Sequence, residues 1–181
     1  MRRVAPKIRL TRRQFTFAGA LAGAATVIGC HATKSSTWEL LSDAEARTLA
    51  ALCDQIIPAD DFPSASQAGV VTYIDRQLGR HYRRHQAVYR GGLEATEAAS
   101  HKRFGTAFAD AAPEQRLQIA IALEKENHAF FDLVRQHTME GYYGSPRHGG
   151  NRDAVSWRML GLDEPPLRGR AQYDLRKGGQ S

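Results

Sequence analysis

From residue 42 to residue 134 the apolar residues of this chain return every three or four positions, and no segment alternates apolar with polar. Intervals of three and four place side chains on one face of a helix, whereas a half-buried strand needs a period of two. The pattern therefore predicts an all-α fold. Leu49, Leu52, Cys53 and Ile56 share a face of a first helix. Ser42-Asp43-Ala44-Glu45 opens it as a capping box, and Pro58 closes it. On that face Cys53 is expected to be a buried, inert thiol. Asp60-Asp61-Phe62-Pro63 reads as a turn with exposed acids. Val70, Val71, Ile74 and Leu78 mark a second helix over 68–80, and Tyr82, Val88, Tyr89, Leu93 and Thr96 a third over 82–103. Pro113 suits the first turn of the next. That helix is predicted to run unbroken through Leu117, Ala120, Ile121, Leu123, Phe130, Phe131 and Val134, as the longest in the chain.

At Gly141 the texture changes. Gly141-Tyr142-Tyr143-Gly144-Ser145-Pro146-Arg147-His148-Gly149-Gly150-Asn151 is rich in glycine and carries aromatics, and it is expected to be a long loop. Residues 152–160 are predicted to form a short helical piece ending near Gly161. Tyr142, Tyr143 and Trp157 either face a partner, as aromatics at interface hot spots do, or fold back to plug the chain's own core. The residues alone divide evenly between the two.

Charge separates the chain into parts. Of 25 Lys and Arg against 19 Asp and Glu, six basic residues and no acid lie within 1–29, which leaves 19 of each in the remainder. A nucleic-acid-binding domain keeps its basic excess on the folded part, so no nucleic-acid partner is expected. Residues 1–33 read as an export signal. Arg12-Arg13-Gln14-Phe15 precedes an apolar run from Phe15 to Ile28, too short for a permanent membrane span. The arginine pair with Phe15 looks like a twin-arginine signal, the rival being a chance pair in an ordinary secretory leader. Val27-Ile28-Gly29-Cys30 resembles a lipobox, which would leave Cys30 as the site of lipid attachment; cleavage after Ala32 would remove that cysteine instead. Residues 34–41 then form a tether, 42–165 a single irregular helical domain, and 166–181 an extended or disordered tail.

Chemistry-bearing constellations are weak. No GxGxxG follows a strand and no P-loop is present, and Gly91-Gly92 falls inside a helical pattern. His81 and His85 are four apart, but Arg80, Arg83 and Arg84 crowd them, which suits a solvated basic helix face better than a metal. His128 and His137 share no clean face of the long helix. Glu124, Glu126, Asp132 and Glu140 read as charges on solvated helix faces. No catalytic, cofactor or metal residue is therefore assigned to this chain alone.

The body nevertheless resembles a known family. Leu49-x-x-Leu52-x-Asp54-x-Ile56-Ile57-Pro58, Asp60-x-x-Pro63-x-Ala65-x-x-Ala68-Gly69-Val70, Phe130-Phe131-x-Leu133, and Glu140-Gly141-Tyr142-Tyr143 through Pro146-x-x-Gly149-Gly150-Asn151 to Trp157 and Gly161 are similar to the gluconate 2-dehydrogenase subunit 3 family. His148 stands where an aromatic commonly precedes the Gly-Gly-Asn. The resemblance implies a non-catalytic small subunit of a periplasmic sugar or sugar-acid dehydrogenase. In such complexes a large subunit holds FAD, and a multihaem cytochrome c commonly takes the electrons. The small subunit supplies the twin-arginine signal that the translocase reads, and Arg12 and Arg13 carry it here. The resemblance also makes Tyr142, Tyr143, Pro146, Gly149, Gly150, Asn151 and Trp157 structural or partner-interface determinants. The competing expectation is a stand-alone periplasmic lipoprotein that binds an envelope partner or a ligand.

Overall fold

A computed structural model describes residues 37–162. The export signal, Cys30 and the tail at 166–181 lie outside the described residues. Among those described the secondary structure is helical throughout, with no strand, as the periodicity requires. The α-helices are α1 (Asp43–Ile56), α2 (Val70–Leu78), α3 (Gln86–Phe104), α4 (Pro113–Glu126), α5 (His128–Tyr143) and α6 (Val155–Met159). Short 3-10 turns lie at Arg83–His85, Phe108–Asp110, Pro146–His148 and Arg152–Ala154.

Helix α1 is the central element and packs against α2, α3, α4 and α5. Its start is fixed locally. The Ser42 hydroxyl accepts the Glu45 amide at 3.2 Å, and the Glu45 carboxylate accepts the Ser42 amide at 2.9 Å, so both donors of the capping box are satisfied. Leu49, Leu52 and Cys53 are fully buried along its inner face. The Thr138 hydroxyl of α5 donates to Cys53 Sγ at 3.2 Å. Burial pushes the thiol up to about 12, against the opposing pull of that hydrogen bond, so Cys53 is the inert buried thiol its helical face predicts.

Three sequence expectations are corrected. The tether assigned to 34–41 reaches too far. Leu41 is buried, and the amides of Glu39, Leu40 and Leu41 all donate to the Asp75 carboxylate, at 2.6, 2.9 and 2.9 Å. Residues 39–41 thus belong to the fold, held by an acid that is itself buried on α2.

The helix predicted to run unbroken from 113 is two helices. Asn127 leaves helical geometry, at φ −135° and ψ 56°, and its carbonyl accepts the amides of Phe130 and Phe131. The chain stops and restarts at one residue, which re-aims the apolar face of α5. Phe130 is thereby carried onto Gly92 of α3, where a Cβ would lie 2.1 Å from the ring. Tyr89 meets Phe130 edge-on, with centroids 5.8 Å apart. Gly92 is what allows α3 and α5 to close this tightly.

The segment from 141 does not begin as a loop. Gly141, Tyr142 and Tyr143 form the last turn of α5, and the loop starts at Gly144. Glycine content suggests a loop there, but Gly141 is needed for close packing: a Cβ on it would stand 2.8 Å from the Tyr73 ring of α2.

Candidate functional site

Three of the four motif blocks, distant in sequence, meet at one end of the bundle. Asp54, on α1, accepts the Ser66 amide and hydroxyl at 2.8 and 2.7 Å, which ties the 59–69 loop to that helix. The loop carries Pro63, whose carbonyl accepts the Tyr142 hydroxyl of α5 at 2.8 Å. Ala68 then accepts the Arg152 amide at 2.8 Å. Gly69, at φ +83°, lets the chain turn into α2 directly under the Gly149 carbonyl, which would lie 2.8 Å from any Cβ there. Gly150 packs as closely on the far side, where its missing Cβ would be 2.1 Å from the Gly141 carbonyl. The segment 144–152 is thus pressed between the start of α2 and the end of α5.

Asn151 locks it. Its side chain donates to the Gly144 carbonyl at 2.8 Å and accepts the Ser156 amide at 2.9 Å, so one buried amide joins the loop to α6. Its φ of 44° lies in the left-handed region, which Asn tolerates better than most residues. The Trp157 indole donates to the Tyr143 carbonyl at 2.9 Å, which satisfies an end group of α5.

The residues assigned to a partner interface therefore separate. Tyr142, Gly150 and Asn151 are buried within this chain and serve its own fold. Of the three aromatics divided evenly between the two readings, Tyr142 is the one turned inward. Pro146, Gly149 and Trp157 are half-buried, and Tyr143 is exposed. Around Tyr143, Met139 stands one helical turn earlier and is exposed, as are Leu160 and Leu162 beyond Trp157. A groove of about 610 Å³ runs past Ile56, Asp132, Arg135, Gln136 and Met139. Among the described residues, Tyr143 and Met139 are the large apolar groups of α5 that stand exposed.

A second constellation lies alongside, and sequence reasoning missed most of it. Tyr82 donates a hydrogen bond to Glu140 Oε2, the Tyr73 hydroxyl lies 2.8 Å from that of Tyr82, and Gln136 donates to Glu140 Oε1 at 2.8 Å. Glu140 is thus not the free solvated charge expected of it. Burial works to raise its carboxyl, but the hydrogen bonds from Tyr82 and Gln136 and the nearby His137 hold it below the usual carboxylate value. Burial, reinforced by the Glu140 carboxylate, pushes the Tyr82 phenol well up.

His137 lies flat on Tyr82, with centroids 3.8 Å apart and planes within 3°. Its Nδ1 shares a 2.9 Å hydrogen bond with the buried Tyr89 hydroxyl. Burial lowers its pKa to about 4, with Glu140 opposing and His85 and Arg84 assisting, so the ring is neutral at pH 7. The His85 ring is tilted 5.8 Å away. His81 and His85 do not share a helix, because 83–85 is a 3-10 turn and α3 begins at Gln86. His81 is exposed, as is His128.

The Glu140 carboxylate, the Tyr73, Tyr82 and Tyr89 hydroxyls and His137 Nδ1 are bonded within this network. Its effect is to clamp the 79–85 turn onto α5. Tyr82 and Tyr89 gave no local signal, since their partners are 58 and 48 residues away. Asp75 did give one: an acid on the apolar stripe between Val71 and Leu78 needs a buried partner. Among the described residues, no group of three or more His, Cys, Asp or Glu is placed to hold a metal ion.

Compared with known proteins, residues 43–163 match the family model described as gluconate 2-dehydrogenase subunit 3. Neither a curated protein nor a solved structure matches the chain.

Proposed function

The chain belongs to the gluconate 2-dehydrogenase subunit 3 family and so is a subunit of a dehydrogenase complex, and from that premise we propose that it is the non-catalytic small subunit, paired with an FAD-containing large subunit whose export it directs. The observation that carries this reading is the extent of the match, which runs from the first residue of α1 to the end of the described domain.

The geometry supports it in one respect. The motif residues are consumed in building a rigid end to the bundle, and that rigidity sets Tyr143 and Met139 outward beside Trp157. Rigid aromatics at a surface are the usual anchors of a tight protein interface. A pairing that survives translocation calls for a permanent interface, typically above about 2,000 Å².

FAD would reside in the large subunit and haem c in a cytochrome subunit, with no cofactor held by this chain. The arginine pair Arg12-Arg13, with Phe15, would be read by the twin-arginine translocase. The flavin must be loaded before export, so a folded pair has to cross together and one signal serves both chains. The mature complex would then lie at the periplasmic face of the membrane.

The test replaces Arg12 and Arg13 by Lys in the native host and follows the flavoprotein by fractionation. Retention of the flavoprotein in the cytoplasm is expected. Its normal arrival in the periplasm would defeat the escort role.

A further inference from the structure

Between Asp75 and Glu94 the chain carries Arg76, Arg80, Arg83, Arg84 and Arg90, together with His81 and His85, and no acid. Over residues 37–162 acids outnumber Lys and Arg by 16 to 14. The domain is therefore slightly acidic, and this stretch carries five of its fourteen basic residues with no acid among them.

Arg76, Arg80 and Arg83 gather around Glu39 and Gly79, and Arg84 follows in the same turn. Arg76 Nε and Arg80 Nη2 face the Glu39 carboxylate at 4.0 and 3.7 Å. Arg83 Nη2 donates to the Gly79 carbonyl at 3.1 Å, and a Cβ on Gly79 would lie 3.6 Å from Glu39 Oε2. Arg84 Nε donates to His85 at 3.0 Å. Arg83 and Arg84 have no carboxylate partner among the described residues. The other acids close by are occupied inside, Asp75 by three backbone amides and Glu140 by tyrosines. Among the described residues Glu39 is the acid in ion-pair range of Arg76 and Arg80, through exposed pairs that are individually weak.

The turn bearing these arginines is held rigidly. Tyr82, at its middle, is stacked on His137 and bonded to Glu140. The Arg80 and Tyr82 amides both return to the Gln77 carbonyl, at 2.9 and 2.8 Å. A guanidinium presented in a fixed array suits phosphate groups, which it can grip with two parallel hydrogen bonds.

The position of the patch along the chain favours one source of phosphate. Glu39 sits in the middle of it and lies at the N-terminal end of the described fold. Cys30, next to the apolar run Phe15–Ile28, is nine residues upstream. Nine residues span at most about 30 Å. Any membrane attachment made through that part of the chain would therefore hold the arginine turn close to a bilayer. Among the described residues no helix is long and apolar enough to cross a membrane, so contact made by this domain is with the headgroups.

We propose that the turn at 79–85, with Arg76, is a seat for an anionic phospholipid surface that orients the domain against the membrane. This stands whether or not the flavoprotein pairing holds, because the lipid contact needs this chain alone.

The experiment measures partition of the full chain onto phosphatidylcholine vesicles with and without phosphatidylglycerol, at low and high salt. Three forms are compared: the native chain, the triple variant R80Q/R83Q/R84Q, and a control triple K102Q/R103Q/R135Q that removes equal charge elsewhere. The leader contributes equally to all three, and the substituted side chains are exposed, so each form is expected to fold. The turn variant should bind phosphatidylglycerol vesicles about a hundredfold more weakly, roughly fivefold per arginine. The control should stay within about threefold of native, and high salt should erase the difference. Equal losses in the two variants would overturn the proposal, as would undiminished binding by the turn variant. So would a turn variant that keeps its vesicles but loses an acidic protein partner.

Discussion

The Asp75 carboxylate accepts the amide of Leu41 at 2.9 Å from a position 34 residues further along the chain. The same group takes the amides of Glu39 and Leu40. One buried carboxylate thus holds three successive amides of the 39–41 segment against α2. Asp75→Asn keeps the volume but gives one oxygen for three amides and turns an NH₂ toward donors. A loss of about 2–3 kcal/mol is expected in urea unfolding. Hydrogen exchange at residues 39–41 should rise more than exchange within α1.

The neighbours Gly91 and Gly92 should behave oppositely. Nothing lies within 4 Å of a Cβ at Gly91, whereas one at Gly92 would enter the Phe130 ring. Gly91→Ala should stabilise by roughly 0.5–1 kcal/mol through helix propensity. Gly92→Ala should destabilise by about 3 kcal/mol or more. The double variant G92A/F130L should recover part of that loss. Thermal melts of the four proteins check this.

His137 predicts the acid limb of the stability curve. Its pKa is about 4 in the fold, below the ordinary value near 6.5. The unfolded chain therefore takes up a proton that the folded chain refuses. Stability from this group is complete above about pH 6.5 and is lost as pH falls toward 4, by up to about 3 kcal/mol. Glu140, held below its usual value, adds its own loss at lower pH, as its carboxylate is protonated. His137→Phe should flatten the slope between pH 6.5 and 4 while lowering stability at pH 7, because Tyr89 loses its partner. Urea midpoints at several pH values would measure both.

Tyr142 and Tyr143 are adjacent and should separate fold from partner. Tyr142→Phe removes the bond to the Pro63 carbonyl and should cost about 1 kcal/mol. It should not affect co-purification of the dehydrogenase partner. Tyr143→Ala removes a ring that is 37% exposed and meets Tyr142 edge-on, and should cost about 1 kcal/mol of stability. It should reduce the co-purified partner severalfold. If the first variant were the one to lose the partner, the outward face would be misplaced.

The features legible in the sequence are those whose cause lies within one turn of chain. Ser42 and Glu45 cap a helix because they are three apart, and Pro113 starts one because its missing amide is unneeded there. Cys53 could be placed inside from the helical face it shares with Leu49 and Leu52. The break at Asn127 could not be read, since the apolar spacing on either side continues across it. The glycines at 141 and 150 announced a loop by composition, yet they are there because α2 and α5 approach them. Tyr82, Tyr89, His137 and Glu140 each look ordinary alone. Their meaning lies in pairings that only the folded chain creates.

Cys53 has one further consequence. A thiol pushed up to about 12 by burial wholly inside the bundle has almost no thiolate to offer a disulfide or an oxidant at neutral pH. The domain's covalent connectivity is then the same in a glutathione-rich cytoplasm as in an oxidising envelope. A bundle assembled in one redox environment can work in the other without rearrangement, and it needs neither an isomerase nor a reductant to do so.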